Sequence, residues 1–269
     1  MQDVKEMGRS PHEERQRTRA GLLPARETEV EPALSVVIPA YDEADNVVAL
    51  VDEITAVLAS GPSYEIVVVD DGSTDGTARR LLERRARGGI PLRVLCHARN
   101  FGQSAALLSG IRAARAEWVV TLDGDGQNDP AFIPALIRAL EADAPRTGLV
   151  AGQRVGRKAS GFKKFQSRIA NAVRGAVLRD GTRDTGCGLK AFRRDVFLKL
   201  PTFDGLHRFL PALVRREGYD IGYVDVVDRP RAHGVSNYGM WDRLWVGILD
   251  LAGVWWLIRR KKRIPQIED

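Results

Sequence analysis

Apolar positions recur along the first half of the chain with two different spacings. A short run at 34–40, rich in β-branched residues, is followed by apolar residues at Val47, Val51, Ile54 and Leu58. Their spacing of four, three and four places them on one face of a helix, whereas the run before them is typical of a buried strand. Three further apolar runs predict strands at 65–70, 92–97 and 117–122.

Helices predicted between these strands indicate the fold class. One helix is expected from about 103 to 115 and another after Pro130, with an apolar face between Ile133 and Leu140. Strands that alternate with helices of this length favour a mostly parallel sheet with helices on both faces. The pattern therefore predicts an α/β fold.

Polar residues cluster directly after each of the four predicted strands. Ligands of open parallel sheets bind beyond the carboxyl ends of the strands, so these clusters predict a ligand site at that edge. Packing does not explain them, although Asp75 has an ordinary role as a cap of the next helix. The clusters lie at 41–43, 70–75, 99–103 and 123–129.

The cluster that gives the most specific prediction of function is the sequence Asp-Gly-Asp-Gly-Gln at 123–127. Its two carboxylates and its amide oxygen can converge on one divalent ion. Hard oxygen ligands select Mg²⁺ or Mn²⁺, and such ions commonly take substrate phosphates as further ligands. Asp-x-Asp also occurs in ordinary turns, but its place after a strand and beside two other acidic loops favours a metal site.

The neighbouring carboxylates of Asp70 and Asp71 point to a second kind of ligand. Two adjacent carboxylates at the mouth of a sheet repel each other unless donors surround them, and a nucleobase or a ribose would supply such donors. The chain has neither Gly-x-Gly-x-x-Gly after its first strand nor a P-loop sequence. It therefore lacks the phosphate-binding turns of dinucleotide-binding and P-loop proteins.

The segment 154–179 is strongly basic, with eight Lys or Arg residues and no acidic residue. Within it, Phe162, Phe165, Ile169 and Val173 lie on one face of a predicted helix. A basic amphipathic helix of this kind is typical of a membrane surface. The alternative is an ordinary core helix with a solvated basic face.

A second candidate for membrane contact is the run at 244–258, which is apolar except for Asp250 and precedes the basic cluster 259–263. It is shorter than the roughly 20 residues that a helix needs to cross a bilayer. Four nearby tryptophans favour a helix that lies in the interface, with the basic cluster on anionic lipid. The alternative is a buried C-terminal helix with a solvated tail. The tryptophans are Trp241, Trp245, Trp255 and Trp256.

Composition narrows the class of protein. With 44% hydrophobic and 28% charged residues, the 269-residue chain is an ordinary globular protein. Its two cysteines, Cys96 and Cys187, are too few for a disulfide scaffold, which fits a reducing compartment. The net charge of +6 suggests an anionic partner: nucleic acid, membrane or phosphorylated substrate. Residues 1–32 contain no apolar stretch of the length of an export signal and are expected to be a disordered leader.

Several motifs resemble those of family 2 glycosyltransferases with the GT-A fold, in the expected order from about 34 to 238. The motifs of the first half are at 35–43, 69–77, 99–104 and 122–130. Three later motifs are similar to those of the dolichol- and polyprenyl-phosphate sugar synthases. They lie at 184–190, 207–211 and 229–236.

The resemblance implies roles for particular residues. Asp123, Asp125 and Gln127 would hold the metal, Mn²⁺ or Mg²⁺. Asp125 and Asp184 would be catalytic, although Asp184 could instead form a turn before Gly186. The nucleotide sugar would meet Pro39, Tyr41, Glu43, Asp70, Asp71, Arg99 and Asp123. The acceptor phosphate would meet Arg154, Arg168, Arg231 and Ser236.

Two positions depart from the family pattern. Asp42 stands where the family usually has Asn, and Asn237 stands where a Lys often follows Ser236. The second departure puts the phosphate contact at that motif in doubt.

The expected function is an inverting, metal-dependent transfer of a sugar from a nucleotide donor to a polyprenyl phosphate. The enzyme would lie peripherally on the anionic cytoplasmic face of the membrane, and a homo-oligomer is left open. The expected domains are the leader 1–32, a GT-A domain at 33–238 that includes the membrane-facing segment 154–179, and an amphipathic helix with a basic tail at 239–269.

Three other functions compete with this one. The same fold could act on a saccharide or glycolipid hydroxyl, which would require a general base near the anomeric carbon to remove the hydroxyl proton. A nucleic-acid binder is disfavoured, because the acidic loops would repel phosphates unless they held metal. A catalytically silent lipid-binding scaffold would have no use for Asp123, Asp125 and Gln127 together.

Overall fold

The computed structural model describes residues 31–144, 146–155, 174–178, 180–182, 184–230 and 240–260, without the side chains of 240–246 and 248. Residues 1–30 of the predicted leader and most of the basic segment 154–179 therefore lie outside the described residues. The strands are β1 (Leu34–Ala40), β2 (Tyr64–Asp70), β3 (Leu92–Cys96), β4 (Trp118–Thr121), β5 (Thr147–Arg154), β6 (Lys190–Arg193) and β7 (Asp220–Val226).

The helices for which bounds are defined flank and follow these strands. They are α1 (Val47–Leu58), α2 (Thr77–Ala86), α3 (Gln103–Ala113), α4 (Ile133–Glu141), α5 (Arg194–Leu198), α6 (Leu210–Arg216) and α7 (Met240–Arg259). Single 3₁₀ turns lie at Pro130–Phe132 and Leu206–Arg208. The four predicted strands and the helices predicted at 47–58, 103–115 and after Pro130 are thus confirmed, although α3 ends two residues earlier than expected. The helix predicted within 154–179 lies outside the described residues.

The seven described strands form one sheet in the order β3-β2-β1-β4-β6-β5-β7. The first four run parallel, and β5 pairs in parallel with β7. Strand β6 lies antiparallel between β4 and β5, which the sequence pattern did not predict. The sheet is therefore mostly parallel, and the carboxyl ends of β1 to β4 meet at one edge.

Helices cover both faces of the sheet, as expected. In β1, Val36 and Ile38 pack on the face that also receives α1 and α4. Val37 points to the opposite face, where Ile111 of α3 and Leu213 of α6 lie. The two-residue period of the strands thus supplies two separate cores, and this leaves the loops after the strands free to form a site.

Helix α7 has one packed face and one exposed face. Val254 is buried among residues of α6 and its neighbours, and Arg216 Nε donates to the carbonyl of Leu257 at 2.9 Å. Leu249 and Trp256 are 70% and 55% exposed. In the described part of the chain, no helix is long and apolar enough to cross a bilayer. The packed face matches the buried-helix alternative, and membrane contact by the exposed face stays a prediction.

The opposite end of the sheet is held by a buried carboxylate, that of Glu65 in β2. Its oxygens accept from Ser35 Oγ at 2.7 Å, Arg93 Nη1 at 2.9 Å and the backbone N–H of Arg115 at 2.7 Å. Burial acts to raise the pKa of Glu65, but these hydrogen bonds outweigh it and hold the pKa below its usual value. The carboxylate thus ties β1, β2, β3 and the loop before β4 together.

Replacing Glu65 by alanine is expected to lower the free energy of unfolding by about 3 kcal/mol, because the change leaves buried donors without an acceptor. Equilibrium unfolding in guanidinium chloride measures the effect. The control is Glu83→Ala, which removes an exposed carboxylate 4.0 Å from Arg79 and should cost less than about 1 kcal/mol. Equal losses in the two variants would contradict a structural role for Glu65.

Candidate active site

The loops after β1 and β2 are joined by hydrogen bonds between their side chains and backbones. Asp42 has a positive φ of 52°, a conformation in which Asp and Asn are several-fold enriched. Its N–H donates to Ser73 Oγ at 2.9 Å, and its Oδ1 accepts from the N–H of Thr74 at 2.8 Å. An Asp can therefore serve where the family usually has Asn, and the departure noted in the sequence has a structural reason.

Asp75 holds the start of α2, as the sequence predicted. Its Oδ1 accepts from the N–H of Thr77 at 2.9 Å, and its Oδ2 accepts from the N–H of Ala44 at the same distance. Although burial acts to raise it, hydrogen bonds to Thr77 and Ala44 lower the pKa of Asp75. Asp75 thus fixes the first two loops against each other.

Asp71 anchors the loop after β3. Its carboxylate accepts from the N–H groups of Phe101 and Gly102 at 3.0 and 2.7 Å and lies 2.6 Å from His97 Nδ1. Asp70 differs, because its buried Oδ1 has no hydrogen-bond partner among the described residues. Of the two neighbouring carboxylates, only that of Asp70 keeps a buried oxygen without a hydrogen bond to a described residue, and its contact with a nucleoside stays a prediction.

The remaining residues predicted for the nucleotide sugar lie around the same edge. Pro39 is buried at the end of β1, and Tyr41 just beyond it is 40% exposed. Glu43 accepts from Asn46 Nδ2 at 2.7 Å. The exposed Arg99 lies with its guanidinium 4.9 Å from the centre of a neighbouring ring, that of Phe101. Their contacts with a nucleotide remain predictions.

Asp123 follows β4 and lies in a crowded position. Its Oδ1 accepts from Gln103 Nε2 at 2.8 Å, and its N–H donates to Asn128 Oδ1 at 3.1 Å. A Cβ on Gly188 would overlap the carboxyl group, so glycine is required there. Burial, followed by the charge of Asp125, raises the pKa of Asp123 to about 6.

The residues at 123–127 fit the predicted metal. The donors predicted there are the carboxylates of Asp123 and Asp125 and the amide of Gln127, and among the described residues no group of three or more His, Cys, Asp or Glu side chains could hold an ion. Two carboxylates and an amide suit an ion that completes its shell with water and substrate phosphates. The repulsion between the two carboxylates that raises the pKa of Asp123 is what a cation would relieve.

The metal-free protein is expected to become more stable at pH 7.5 by about 1–3 kcal/mol when Asp123 is replaced by Asn. Because the pKa of Asp123 is raised to about 6, the folded state binds a proton more tightly than the unfolded chain. Stability is therefore lost as the pH rises from about 4 through 6, and Asn avoids this loss. Urea unfolding at pH 7.5 and pH 4 measures the difference, which should vanish at the lower pH. The exposed Asp143→Asn is the control, and equal stabilities of wild type and Asp123→Asn at pH 7.5 would refute the argument.

Arg154 at the end of β5 holds two carboxylates. Its Nε and Nη2 donate to Asp184 at 2.5 and 2.8 Å, and its Nη1 donates to Asp228 at 3.1 Å. Hydrogen bonding to Asp184 raises the pKa of Arg154. Burial acts to raise the pKa of Asp184, but the hydrogen bonds and the charge of Arg154 outweigh it, so the pKa of Asp184 is lowered. Asp184 also accepts from the N–H of Gly186 at 3.0 Å, which is the turn that the sequence offered as the alternative role.

The structure thus gives Arg154 a different set of partners from the acceptor phosphate predicted for it. The other three residues predicted at that phosphate, Arg168, Arg231 and Ser236, lie outside the described residues. Asp228, by contrast, was missed. It follows β7 and pairs with Asn128 of the loop after β4, a contact between residues 100 positions apart that no local signal reveals.

A cavity of about 160 Å³ opens beside Asp123, and its wall includes Lys190, His207 and Arg208. Lys190 is buried, its ammonium donates to the carbonyl of Cys187, and burial lowers its pKa. Burial and the charges of Lys190 and Arg208 lower the pKa of His207 to about 3. Sequence reasoning assigned none of these three side chains a role, although all belong to motifs that carried the resemblance.

Solved structures share this fold. Glucosyl-3-phosphoglycerate synthase from Mycobacterium tuberculosis with uridine diphosphate has a TM-score of 0.64 at 20% identity, over 95% of this chain and 86% of that one. Another crystal structure of that enzyme contains Mn²⁺, uridine diphosphate and glucosyl-3-phosphoglycerate, with a TM-score of 0.63 at 21% identity, over 87% and 81%. Mannosyl-3-phosphoglycerate synthase from Rubrobacter xylanophilus has a TM-score of 0.66 at 19% identity, over 94% and 79%. The chain therefore has a GT-A-like α/β fold.

Proteins related in sequence share a higher identity with this chain than these solved structures do. Dodecaprenyl-phosphate galacturonate synthase from Rhizobium johnstonii is 38% identical over 234 residues, which are 86% of this chain and 68% of the relative. Undecaprenyl-phosphate 4-deoxy-4-formamido-L-arabinose transferase from Edwardsiella ictaluri is 34% identical over 208 residues, 77% of this chain and 63% of the relative. The chain thus spans about two thirds of the length of the first relative and less than two thirds of the second. Glycosyl transferase family 2 matches residues 35–200, and the chain belongs to this family.

Proposed function

We propose that this glycosyltransferase moves a sugar from a nucleotide donor to a polyprenyl phosphate. The observation that carries the proposal is the placement of Asp123, which lies between the predicted nucleotide edge and a cavity with a basic wall. Two relatives named for transfer to dodecaprenyl and undecaprenyl phosphate support the acceptor. Solved neighbours that contain uridine diphosphate and Mn²⁺ support the donor and the metal.

The donor would lie with its nucleoside beside Asp70 and its diphosphate at Asp123 and Asp125. A divalent ion bound there would supply charge stabilisation for the departing diphosphate. Gln103 and Asn128 hold the Asp123 loop in place through the hydrogen bonds given above. The chain's own contribution is thus to position the donor and to keep two repelling carboxylates together.

In the reaction, an oxygen of the acceptor phosphate would attack the anomeric carbon. The new bond joins that carbon to the phosphate oxygen, while its bond to the diphosphate oxygen breaks and nucleoside diphosphate leaves. An in-line attack inverts the anomeric centre. A phosphate monoester is mostly dianionic at pH 7, since its second pKa is about 6, and so no proton must be removed.

The described residues near the cavity favour this acceptor over a hydroxyl. A hydroxyl needs a base whose pKa lies near the working pH. The pKa of His207 is lowered to about 3, and the pKa of Asp184 is also lowered, so both would be weak bases. The pKa of Asp123 is raised to about 6, but its carboxylate is the one proposed to hold the metal. An acceptor that arrives already deprotonated avoids this requirement.

The experiment that tests the proposal offers the purified chain a panel of nucleotide sugars with Mn²⁺ and a short polyprenyl phosphate. Mass spectrometry should detect a polyprenyl-phosphate sugar that forms only when both substrates are present. A parallel panel of saccharide and glycolipid hydroxyl acceptors tests the competing function. Transfer to those acceptors alone, or transfer of no sugar to any acceptor, would overturn the proposal.

Access to a lipid acceptor would come from the exposed face of α7, held against the cytoplasmic face of the membrane. Leu249 and Trp256 are exposed on this helix, and Arg259 lies with its guanidinium 3.9 Å from the centre of the Trp255 ring. Apolar side chains beside cations are typical of helices that lie in the headgroup layer. Asp250 faces the protein near Gly205, which removes the cost of a carboxylate in lipid.

Replacing Leu249 and Trp256 together by Gln is expected to weaken binding to anionic liposomes by roughly tenfold or more, because the change removes two exposed apolar side chains. Sedimentation with vesicles of mixed phosphatidylcholine and phosphatidylglycerol measures binding. Leu82→Gln, an equally simple change at a 40% exposed residue of α2, should have no effect. Unchanged binding of the double variant would contradict the placement of α7 at the membrane.

A further inference from the structure

The cavity beside Asp123 is lined by two cationic side chains, Lys190 and Arg208, whose charge a neutral sugar cannot compensate. Resting on the proposed function, we propose that this cavity receives the transferred sugar and that the sugar is a hexuronate, whose C6 carboxylate binds Arg208 and Lys190. The inference thus names the class of donor for the site already described.

The position and size of the cavity fit a single sugar. The sugar is bonded to the diphosphate, so it must lie next to the residues that hold that diphosphate. The cavity is lined by Asp123 and Gln103 on one side and by Gly186 and Gly188 on another. Its volume of about 160 Å³ is that of about five water molecules, which is enough for one sugar ring.

The charges on the wall are unbalanced. Lys190 is 4% exposed, and its single hydrogen bond within the described residues, to the carbonyl of Cys187, leaves two of its three N–H donors. The guanidinium of Arg208 has no hydrogen bond or ion pair to another described residue, although its backbone N–H donates to the carbonyl of Gly205 at 3.1 Å. Against these two cations the wall presents one carboxylate, that of Asp123, which the diphosphate site uses. A partly buried guanidinium without an ion pair is costly, and a sugar carboxylate would compensate the charge of Arg208.

His207 adds a neutral donor to this wall. Ser104 Oγ accepts from the N–H of Gly205 at 3.0 Å and lies 2.8 Å from His207 Nδ1. The hydroxyl is therefore free to donate its own hydrogen to Nδ1, which puts the imidazole proton on Nε2. An imidazole N–H beside two cations is suited to carboxylate or hydroxyl oxygens of a sugar.

Among the described residues, no carboxylate forms an ion pair with Arg208. Asp250 of α7 is a nearby carboxylate, since its Oδ2 lies 3.0 Å, and Arg208 Nη2 lies 3.8 Å, from the position that a Cβ on Gly205 would take. No ion pair joins the two side chains within the described residues, and the buried Oδ2 of Asp250 has no hydrogen-bond partner there. The guanidinium is thus oriented near a carboxylate without being paired to it, and it keeps its planar donors for a ligand.

The experiment compares UDP-galacturonate with UDP-galactose, which differ only in the C6 carboxylate. Each donor is given to the full chain with Mn²⁺ and a short polyprenyl phosphate, and its binding without acceptor is measured by calorimetry. The uronate should have a kcat/KM and an affinity about 100-fold higher. Arg208→Gln should lower both values about 100-fold for the uronate and change those for UDP-galactose less than about threefold. The exposed Arg85→Gln is the matched control and should change neither.

Each other outcome has a distinct meaning. Equal or better use of UDP-galactose by the wild type overturns the uronate and leaves the proposed function intact. If Arg208→Gln raises the KM of the acceptor equally with both donors, or weakens binding of UDP itself, Arg208 serves a phosphate and the inference is wrong. Transfer of neither sugar, with tighter uronate binding that depends on Arg208, supports the inference while the proposed function fails, and binding of neither donor overturns it. Should Arg208→Gln not fold, Arg208→Lys retains the charge and should keep part of the uronate preference.

Discussion

Replacing Asp125 by alanine is expected to reduce glycosyl transfer at least about 1,000-fold, which is about 4 kcal/mol of transition-state stabilisation. The carboxylate lies close enough to Asp123 to raise the pKa of that group, so the two charges act on the same region. Without Asp125, one carboxylate and an amide would remain to hold the ion on the diphosphate. The fold should survive, because Asp125 lies in the loop after β4, outside the strands and helices of the core.

Two measurements separate a metal role from a structural one. Binding of Mn²⁺ in the presence of UDP, followed by electron paramagnetic resonance, should be lost in Asp125→Ala, whereas thermal unfolding without metal should change little. Asp143→Ala, at an exposed acidic residue after α4, should match the wild type in both. Near-normal activity of the wild-type protein in the presence of a chelator would show that the metal assignment is wrong.

The parts of the fold that depend on local sequence could be predicted. The apolar face of α1 and the four runs that became β1 to β4 appear as periodic patterns, since each pattern is a direct record of which side chains are buried. Strand β6 could not be found in this way. It has four residues, and its place between β4 and β5 depends on pairings with residues up to about 75 positions away.

The candidate site shows the same division between local and distant information. The motif at 123–127 could be identified as a carboxylate pair because its spacing is local. The hydrogen bonds by which Asp71 anchors a loop could not be predicted, since its partners Phe101, Gly102 and His97 come from the loop after β3. The position of Lys190 could not be predicted either. Lysine is usually exposed, and only the structure shows that Lys190 is buried beside the cavity.

The electrostatics of the site separate its carboxylates into two groups. Burial and a neighbouring carboxylate raise the pKa of Asp123, which therefore gains from binding a cation. Asp184 is also partly buried, but the guanidinium of Arg154 lowers its pKa, so that it needs no added cation. These charges favour a metal at the loop after β4, while Arg154 offsets part of the negative charge of Asp184 and Asp228. Arg154 pairs with Asp184 and Asp228, and Asp228 contacts Asn128 of the loop after β4. Both acidic regions therefore depend on Arg154.

Replacing Arg154 by alanine is therefore expected to cost about 3–5 kcal/mol of folding stability, because it leaves the carboxylates of Asp184 and Asp228 partly buried without a counter-ion. All three side chains are at most 21% exposed. Transfer activity should fall as well, since Asp228 contacts Asn128 of the loop that is predicted to hold the metal. Arg154→Lys should recover only part of the stability, because an ammonium cannot form the two-pronged contact. Unfolding in guanidinium chloride measures these effects.

The same variant tests whether Arg154 instead meets the acceptor phosphate, as the sequence predicted. If its main role is to neutralise the two carboxylates, adding Asp184→Asn and Asp228→Asn to Arg154→Ala should restore most of the lost stability. Arg146→Ala, which breaks an exposed 3.2 Å pair with Asp220, should cost less than about 1 kcal/mol. A phosphate-binding arginine would behave differently: its removal would leave stability near that of the wild type and raise the KM of the polyprenyl phosphate while donor binding stayed unchanged.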